Sequence, residues 1–406
     1  MFLAILTLAL TVKEDRTPLR NGCYADSDLV ATLPAGAQVT IRYALAGEAT
    51  PCYKIATQVD GHAVEGYLTA DSIQGLDEFD KGRREAQWLD STQVMATIRS
   101  SFGLPSLKPT ASTPQGLVDQ AAELIQASQP AKALELLDPV LKKRKDPVLL
   151  AVAGLAAWRS DDSRRALELW RGSLDMQPNP DLESLYRRVE RENKNDLSNE
   201  KIYGARVVLR YDSATVPAET GRQMVAALDQ EYARISGQLG CYAEERIVAI
   251  VQSQAAYRKT TDAAEWSGGQ YDGRIRVPVL GGQGMDVSMR RVLAHETTHA
   301  CLTMLGQWPA WLQEGMAQKL SGDMLTPAVR QKIAAMTQNG KMPRLENLKQ
   351  DWSRLDTDHA VAAYGLSLAA VDLLYENYGS DGVANLVRNP ERLAAITADL
   401  DKKLGL

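Results

Sequence analysis

The alternation of apolar and polar residues divides the chain into regions with different periods. Residues 12–76 contain short runs such as QVTIRY and CYKIA, in which apolar and polar positions alternate between turn residues. Short alternating runs at this spacing predict the strands of a small β-barrel. Gly36 is expected in a turn before a strand over 39–43, and Gly66-Tyr67-Leu68 is expected in the last strand.

Residues 77–113 are predicted to form a helix and a linker. The first part, 77–100, is charged and amphipathic, as expected for a surface helix. The stretch GLPSLKPTASTPQG (103–116) is rich in Pro, Ser and Thr and has no hydrophobic period. Such a composition is typical of linkers.

A helical repeat is predicted in residues 114–192. The segments AKALELLDPVL (131–141) and RRALELWRGSL (164–174) align at a spacing of thirty-three residues, and Pro147 aligns with Pro180. Repeats of this length pair their helices closely through small residues, and an array of fewer than three rarely stands alone. The two repeats are therefore expected to pack on a neighbouring region. A helical spacer and a partner-binding groove both fit this pattern.

The last region, 197–406, changes from strand to helix patterns. Strands are predicted over 203–211, 246–252 and the RIRVPV stretch, with a helix over 217–239 between the first two. From residue 285 onward the period is helical. The predicted helices are 286–305, 310–320, 326–337, 360–378 and 381–400. A sheet followed by helices predicts an α+β domain, so the chain is expected to be multidomain.

Composition and charge narrow the function classes. The net charge is −5, which argues against nucleic acid as a partner because phosphate binding needs a basic surface. No stretch reaches about 18 consecutive apolar residues, so no transmembrane anchor is predicted. The apolar N-terminus, 1–11, is interpreted as the remnant of a signal peptide, although no basic residue precedes it. A first β-strand or a mistaken start codon is the alternative.

The four cysteines, at positions 23, 52, 241 and 301, form no C-x-x-C pair, which argues against a cysteine metal site. Cys23 and Cys52 lie in one small region and could be bridged, which would suit an oxidising compartment. Cys301 is expected to be buried and to point away from the nearby histidines.

The candidate chemistry lies in His295-Glu296-Thr297-Thr298-His299. On a helix, histidines four residues apart lie on one face and can share a metal ion. A catalytic zinc takes three protein ligands, so a third must come from another element. Gly306 can end this helix, Pro309 can begin the next, and Glu314 would then lie on its second turn. The pattern predicts one Zn²⁺ per chain, against the alternative of a chance motif.

HETTH followed by WPAWLQEGMA (308–317) resembles the gluzincin metallopeptidases, in particular the peptidase MA-like domains found beside tetratricopeptide repeats. The stretches GGQYDGRIRVPV and AAYGLSLAAVDLLYENYG, on either side, are similar too, and the resemblance covers roughly 200–400. One departure is the short spacing between His299 and Glu314. The resemblance implies a zincin-like fold and a hydrolase that cleaves peptide or protein substrates.

The resemblance also implies roles for single residues. His295, His299 and Glu314 would bind zinc, and Glu296 would act as general base toward a zinc-activated water. Tyr364 is the candidate donor to the oxyanion; a core aromatic at this position, or His359 in this role, is the alternative. Ile275 and Val277 are expected on a sheet edge, where an extended peptide could add by main-chain hydrogen bonds.

Residues 12–76 resemble bacterial SH3-like domains, and 114–192 resemble tetratricopeptide repeats. The first resemblance implies a possible cell-wall or protein ligand, and a barrel without a ligand is the alternative. The sequence thus predicts an exported bacterial metallopeptidase, secreted, periplasmic or in the cell envelope. The alternative function is a non-catalytic, zinc-containing scaffold whose SH3-like and repeat domains bind protein or cell-wall partners.

Overall fold

The computed structural model describes residues 10–22, 27–44, 52–76, 95, 98–99, 102, 114–195, 199–261, 269–279, 284–339, 342–348 and 357–406. The strands are β1 (Leu10–Val12), β2 (Thr17–Arg20), β3 (Leu29–Leu33), β4 (Gln38–Ala44), β5 (Cys52–Val59), β6 (His62–Thr69), β7 (Ile73–Gln74), β8 (Asn199–Tyr203), β9 (Val207–Asp212), β10 (Ile247–Ser253), β11 (Gln270–Tyr271) and β12 (Ile275–Val279). The helices are α1 (Pro114–Gln126), α2 (Pro130–Lys143), α3 (Pro147–Arg159), α4 (Ser163–Met176), α5 (Pro180–Asn195), α6 (Ala218–Leu239), α7 (Gln254–Thr261), α8 (Val287–Leu305), α9 (Ala310–Ser321), α10 (Pro327–Gln338), α11 (Thr357–Leu386) and α12 (Leu393–Leu404). The chain is a multidomain α/β protein.

Strands β1 to β7 form a curled antiparallel sheet in the order β3-β2-β6-β5-β4-β1-β7. Its apolar side chains, among them Leu19, Leu33 and Ile55, form a core of their own. Gly36 has a φ of +79° in the turn before β4, as the sequence predicts. A positive φ favours glycine because a β-carbon would clash there.

Helices α1 to α5 follow one another as a helical segment, and the start of each helix recurs after thirty-three residues. Pro130 and Ser163 begin α2 and α4, and Pro147 and Pro180 begin α3 and α5. Trp170 of α4 donates a hydrogen bond from Nε1 to the carbonyl of Ala151 on α3 (2.9 Å). The five helices share one apolar core, with Trp158 and Trp170 fully buried in it.

Strands β8 to β12 form a second, mixed sheet in the order β11-β12-β10-β9-β8. Strands β9, β10 and β12 run parallel, while β8 and β11 pair antiparallel at the two edges. Helices α6, α8, α9 and α11 share the main core with this sheet. The HETTH helix α8 contacts both edge strand β11 and strand β12.

Three sequence predictions about strands are wrong. Gly66-Tyr67-Leu68 lies in β6, but β7 follows it and pairs with β1. The stretch 203–211 is two strands, because Asp229 accepts hydrogen bonds from the backbone N–H groups of 205–207 and stabilises a turn there. Strand β12, with Ile275 and Val277, is not an edge strand, since β11 pairs with it.

Two other predicted segments have different boundaries in the structure. The helix predicted over 381–400 is interrupted: α11 ends at Leu386, a 3₁₀ turn covers Pro390–Arg392, and α12 begins at Leu393. Proline has no N–H for the helical ladder, which explains the break. Leu10 pairs with Val39, so the end of the predicted signal peptide belongs to β1.

Residues 1–9 and most of the helix and linker predicted over 77–113 lie outside the described residues. None of the helices in the described part combines the length and the apolar character that a bilayer-spanning helix needs.

Candidate metal centre

Helix α8 carries the two histidines through the core. Asp286 is its N-cap, and the Asp286 carboxylate accepts a hydrogen bond from the N–H of Met289 (2.6 Å). The helix ends before Gly306. The threonines of the buried motif would be costly without partners. Thr297 and Thr298 each donate to the carbonyl four residues earlier, at 2.7 and 2.8 Å. Both threonine hydroxyls of the buried motif are therefore satisfied within the helix.

A short loop returns the chain beside α8. Trp308 donates from Nε1 to the carbonyl of Leu302 (3.2 Å). Pro309 is the N-cap of α9 and not the first helical residue that the sequence predicted, so the helix begins one position later. Glu314 then lies on the second turn of α9. At Gly315 an added β-carbon would overlap the carbonyl of Ser367, so glycine lets α11 approach α9 next to Glu314.

The three predicted ligands come together in one cluster. Candidate ligand atoms of His295, His299 and Glu314 all lie within 4.8 Å of one another. The two imidazole Nε2 atoms are 3.1 Å apart. Glu314 places Oε2 at 3.4 Å from Nε2 of His295 and Oε1 at 3.7 Å from Nε2 of His299. In the described part of the chain, this is the one group of histidine, cysteine and acidic residues able to share a metal ion.

These distances fit the donor set of a zinc ion. Ligands about 2.0–2.1 Å from a tetrahedral zinc lie about 3.3 Å from one another. The three separations in the triad, 3.1, 3.4 and 3.7 Å, are close to this value. Two imidazoles and one carboxylate form the His₂Glu set of catalytic zinc sites, which keep a fourth position for water. The triad can therefore hold a metal ion.

Electrostatics keeps these side chains in the forms that bind metals. Burial lowers the pKa of His299 to about 4, although the Glu314 carboxylate opposes this shift, so the imidazole is neutral. Burial alone would raise the pKa of Glu314, but the two imidazoles outweigh it and hold this pKa below its usual value. A neutral imidazole and an ionised carboxylate are the protonation states that coordinate metal ions.

Gln313 contacts His299 at the ring nitrogen Nδ1. Its Oε1 lies 3.3 Å from Nδ1 of His299. An N–H donated from Nδ1 to this oxygen leaves the lone pair on Nε2, the atom that faces the triad. Gln313 could not be predicted from the sequence, because an amide next to a predicted ligand has no distinctive pattern.

Glu296 is buried at 2% exposure, one residue after His295. Burial raises the pKa of Glu296 to about 8; the carboxylates of Glu314 and Asp272 act in the same direction, and His295 opposes them. A carboxyl group with a pKa near neutral can both take up and release a proton at physiological pH.

Tyr364, the predicted oxyanion donor, lies on α11 and is half-buried. Its carbonyl accepts a hydrogen bond from Nε2 of Gln318 (3.0 Å), one turn after Glu314 on α9. This contact brings the Tyr364 backbone to α9, and a role for its hydroxyl stays a prediction. The side chain of His359 lies outside the described part.

A disulfide that was not predicted from the sequence joins Cys241 to Cys301. Cys301 is fully buried, as expected, and lies two residues after His299. Cys52 is disulfide-bonded as well, while Cys23 lies outside the described residues. Sixty residues separate Cys241 from Cys301, and no spacing rule links cysteines so far apart.

Comparisons with protein-family models, with curated proteins and with solved structures give no match to this chain. Its functional interpretation consequently depends on the chemistry of the side chains described above.

Proposed function

We propose that this chain is a zinc-dependent metallopeptidase that hydrolyses peptide bonds in peptides or proteins. One observation carries the proposal. Two imidazoles and a carboxylate converge at distances that suit tetrahedral zinc, and a separate buried carboxyl group, Glu296, follows the first ligand on the same helix. A purely structural zinc site is closed by four protein ligands and has no use for this extra carboxyl group.

His295, His299 and Glu314 would hold one zinc ion per chain. When bound, the ion would act as a Lewis acid toward the substrate carbonyl and would make a water molecule more acidic. Glu296 would accept a proton from the attacking water and return it to the leaving amine. Burial raises the pKa of Glu296, which would help the side chain hold the proton between these two events. Tyr364 would donate to the developing oxyanion.

The proposal extends to the other regions of the chain. We infer that the curled sheet is an SH3-like barrel with a possible cell-wall or protein ligand, and that the helical segment is tetratricopeptide-like. The bond between Cys241 and Cys301, and the disulfide-bonded state of Cys52, favour an extracytoplasmic location because disulfides persist in oxidising compartments.

The test uses the purified full chain and three variants. Zinc is measured by inductively coupled plasma mass spectrometry, and hydrolysis of casein is measured on the same samples. Glu296→Gln should keep its zinc and lose about 10²- to 10⁴-fold in kcat/KM, the usual contribution of general base catalysis. Glu314→Gln should lose both zinc and hydrolysis. Glu219→Gln, on the exposed surface of α6, is the matched control and should resemble wild type.

Two outcomes would contradict the proposal. Absence of zinc from the purified wild-type chain would contradict the proposed metal site. A zinc-loaded chain that hydrolyses neither casein nor a mixed peptide library, with Glu296→Gln indistinguishable from wild type, would favour the non-catalytic scaffold.

A further inference from the structure

The carboxyl group of Glu296 lies against the backbone of Gly269. A β-carbon added to Gly269 would be 2.6 Å from Oε1 of Glu296, 3.0 Å from its Cγ and 3.1 Å from its Cδ. These are the three nearest heavy atoms, so the Glu296 side chain occupies the space next to this glycine. The φ of Gly269 is outside the left-handed region, so the backbone itself would accept alanine. What excludes a side chain is the position of the Glu296 carboxyl group.

Gly269 directly precedes β11, and buried ion pairs hold the hairpin of β11 and β12. At the turn, Asp272 accepts hydrogen bonds from Arg188 of helix α5 and from Arg276 of β12, each at 2.8 Å. Gly273 has a φ of +100°, and the side chain of Arg159 lies where its β-carbon would be. The helical segment is therefore bonded directly to the tip of the hairpin.

A second buried carboxylate binds two arginines, one in the turn and one in β12. Glu192 of α5 accepts hydrogen bonds from Arg274 (2.6 Å) and Arg276 (3.0 Å). The Cζ atom of Arg274 also lies 4.2 Å from the centre of the Trp158 ring, within cation–π range. Glu192, Asp272, Arg274 and Arg276 are all fully buried. Breaking charged hydrogen bonds in such surroundings is costly, so the hairpin resists displacement.

We propose that Gly269 is a positioning residue for Glu296: its missing side chain and the anchored hairpin that follows it together fix the position of the carboxyl group next to β11. The proposal rests on the proposed function, in which Glu296 is the general base. It gives the helical segment a role inside the site, since Arg159, Arg188, Glu192 and Trp158 belong to that segment and hold the hairpin.

The first test is Gly269→Ala, with Gly284→Ala as its matched control. Gly284 is exposed in the connection before α8, and a β-carbon there meets nothing within 4 Å. In Gly269→Ala the carboxyl group must move by about 1 Å to reach an ordinary contact distance. A misplacement of this size lowers kcat on the order of 100-fold. KM, zinc content and melting temperature should stay near wild type, as should every property of Gly284→Ala.

A double variant separates positioning from general damage. Glu296→Asp shortens the side chain by one methylene and withdraws it from residue 269. If the methyl group added at position 269 acts only by pushing the carboxyl group, Gly269→Ala/Glu296→Asp should be about as active as Glu296→Asp alone, within about 3-fold. Losses that multiply would contradict the proposal, because the substitution would then act through the hairpin and not through Glu296.

Crystal structures of wild type and Gly269→Ala supply a readout that does not depend on catalysis. The expected difference is a displaced Glu296 carboxyl group, with the backbone at 269 and the three ligand side chains unchanged. A shifted hairpin with Glu296 in place would overturn the positioning role. Should wild type hydrolyse no peptide, the proposed function fails, and this structural comparison still decides whether Gly269 sets the position of Glu296.

Discussion

One histidine of the triad, His299, is supported by a neutral amide. His299 has Gln313 behind it, at 3.3 Å from Nδ1, and the amide oxygen is a neutral acceptor. A neutral partner fixes the ring and its tautomer without adding a charge beside the Glu314 carboxylate. Gln313 and Glu314 are consecutive on α9, so the same helical turn supplies a ligand and orients another.

Removing the Gln313 acceptor should weaken metal binding. Gln313→Leu keeps the approximate volume but leaves Nδ1 of His299 without this oxygen, and the zinc dissociation constant should rise about 10- to 100-fold. Competition with a fluorescent chelator measures the effect. Gln313→Glu retains an acceptor and should stay within a few-fold of wild type. Equal zinc affinities in Gln313→Leu and wild type would contradict this role.

The sequence predicts the triad better than its surroundings, for a physical reason. His295 and His299 are linked by a helical period, and Glu314 follows after a loop with Gly306 and Pro309, so local rules suffice. The contacts of Gln313 and Gly269 depend on how α8, α9 and β11 pack together. No local pattern encodes that packing.

Among the secondary-structure elements, the hairpin of β11 and β12 departs most from its sequence pattern. Alternation in RIRVPV predicts a strand with one polar face, and the strand is observed. Both arginines are nonetheless fully buried, because Glu192 and Asp272 accept their hydrogen bonds. Periodicity identifies the strand, but it cannot show that a charged face meets partners from a helical segment about eighty residues away.

Neutralising one of these carboxylates should destabilise the protein. Glu192→Gln leaves Arg274 and Arg276 partly uncompensated in a buried site, and the free energy of unfolding should fall by about 3–5 kcal/mol. Urea denaturation followed by circular dichroism measures this change. Glu190→Gln on the same helix is the control; its partners Arg187 and Lys194 are exposed, so its effect should stay below about 1 kcal/mol. Equal effects in the two variants would contradict the importance of the buried network.

The same carboxylates should make stability depend on pH in acid. Burial alone would raise the pKa values of Glu192 and Asp272, but the surrounding arginines outweigh it and hold both below their usual range. Their contribution is fully present above the unfolded pKa values of about 4 and is lost as pH falls through the lower folded values. Wild type should lose unfolding free energy below about pH 4 more steeply than Glu192→Gln. Equal losses of unfolding free energy per pH unit in the two proteins would be evidence against a lowered pKa of Glu192.

At the scale of the whole molecule, distant parts of the chain support the metal helix. The Cys241–Cys301 bond joins α8 to the end of α6, and the buried ion pairs join the helical segment to β11 and β12 beside Glu296. The hydrophobic period was enough to predict the order of the regions along the chain: a strand region, a helical segment, and a region with both strands and helices. Which regions touch could not, because these links join residues 60 to 84 positions apart.

Removing the disulfide should lower stability without removing the metal. Cys241→Ala/Cys301→Ala releases a sixty-residue loop in the unfolded chain, and the free energy of unfolding should fall by about 2–4 kcal/mol. Denaturant titration of the double variant beside wild type measures the loss, and the zinc stoichiometry should stay at one. A variant as stable as wild type would show that the bond adds little to the folded state.

Zinc K-edge X-ray absorption of the purified, zinc-loaded chain examines the metal centre itself. We expect nitrogen and oxygen ligands at about 2.0–2.1 Å, with the scattering pattern of two imidazoles and no sulfur. Glu314→Gln should change the oxygen contribution or lose the metal. Sulfur at about 2.3 Å, or a spectrum without imidazole scattering, would contradict a site made of His295, His299 and Glu314.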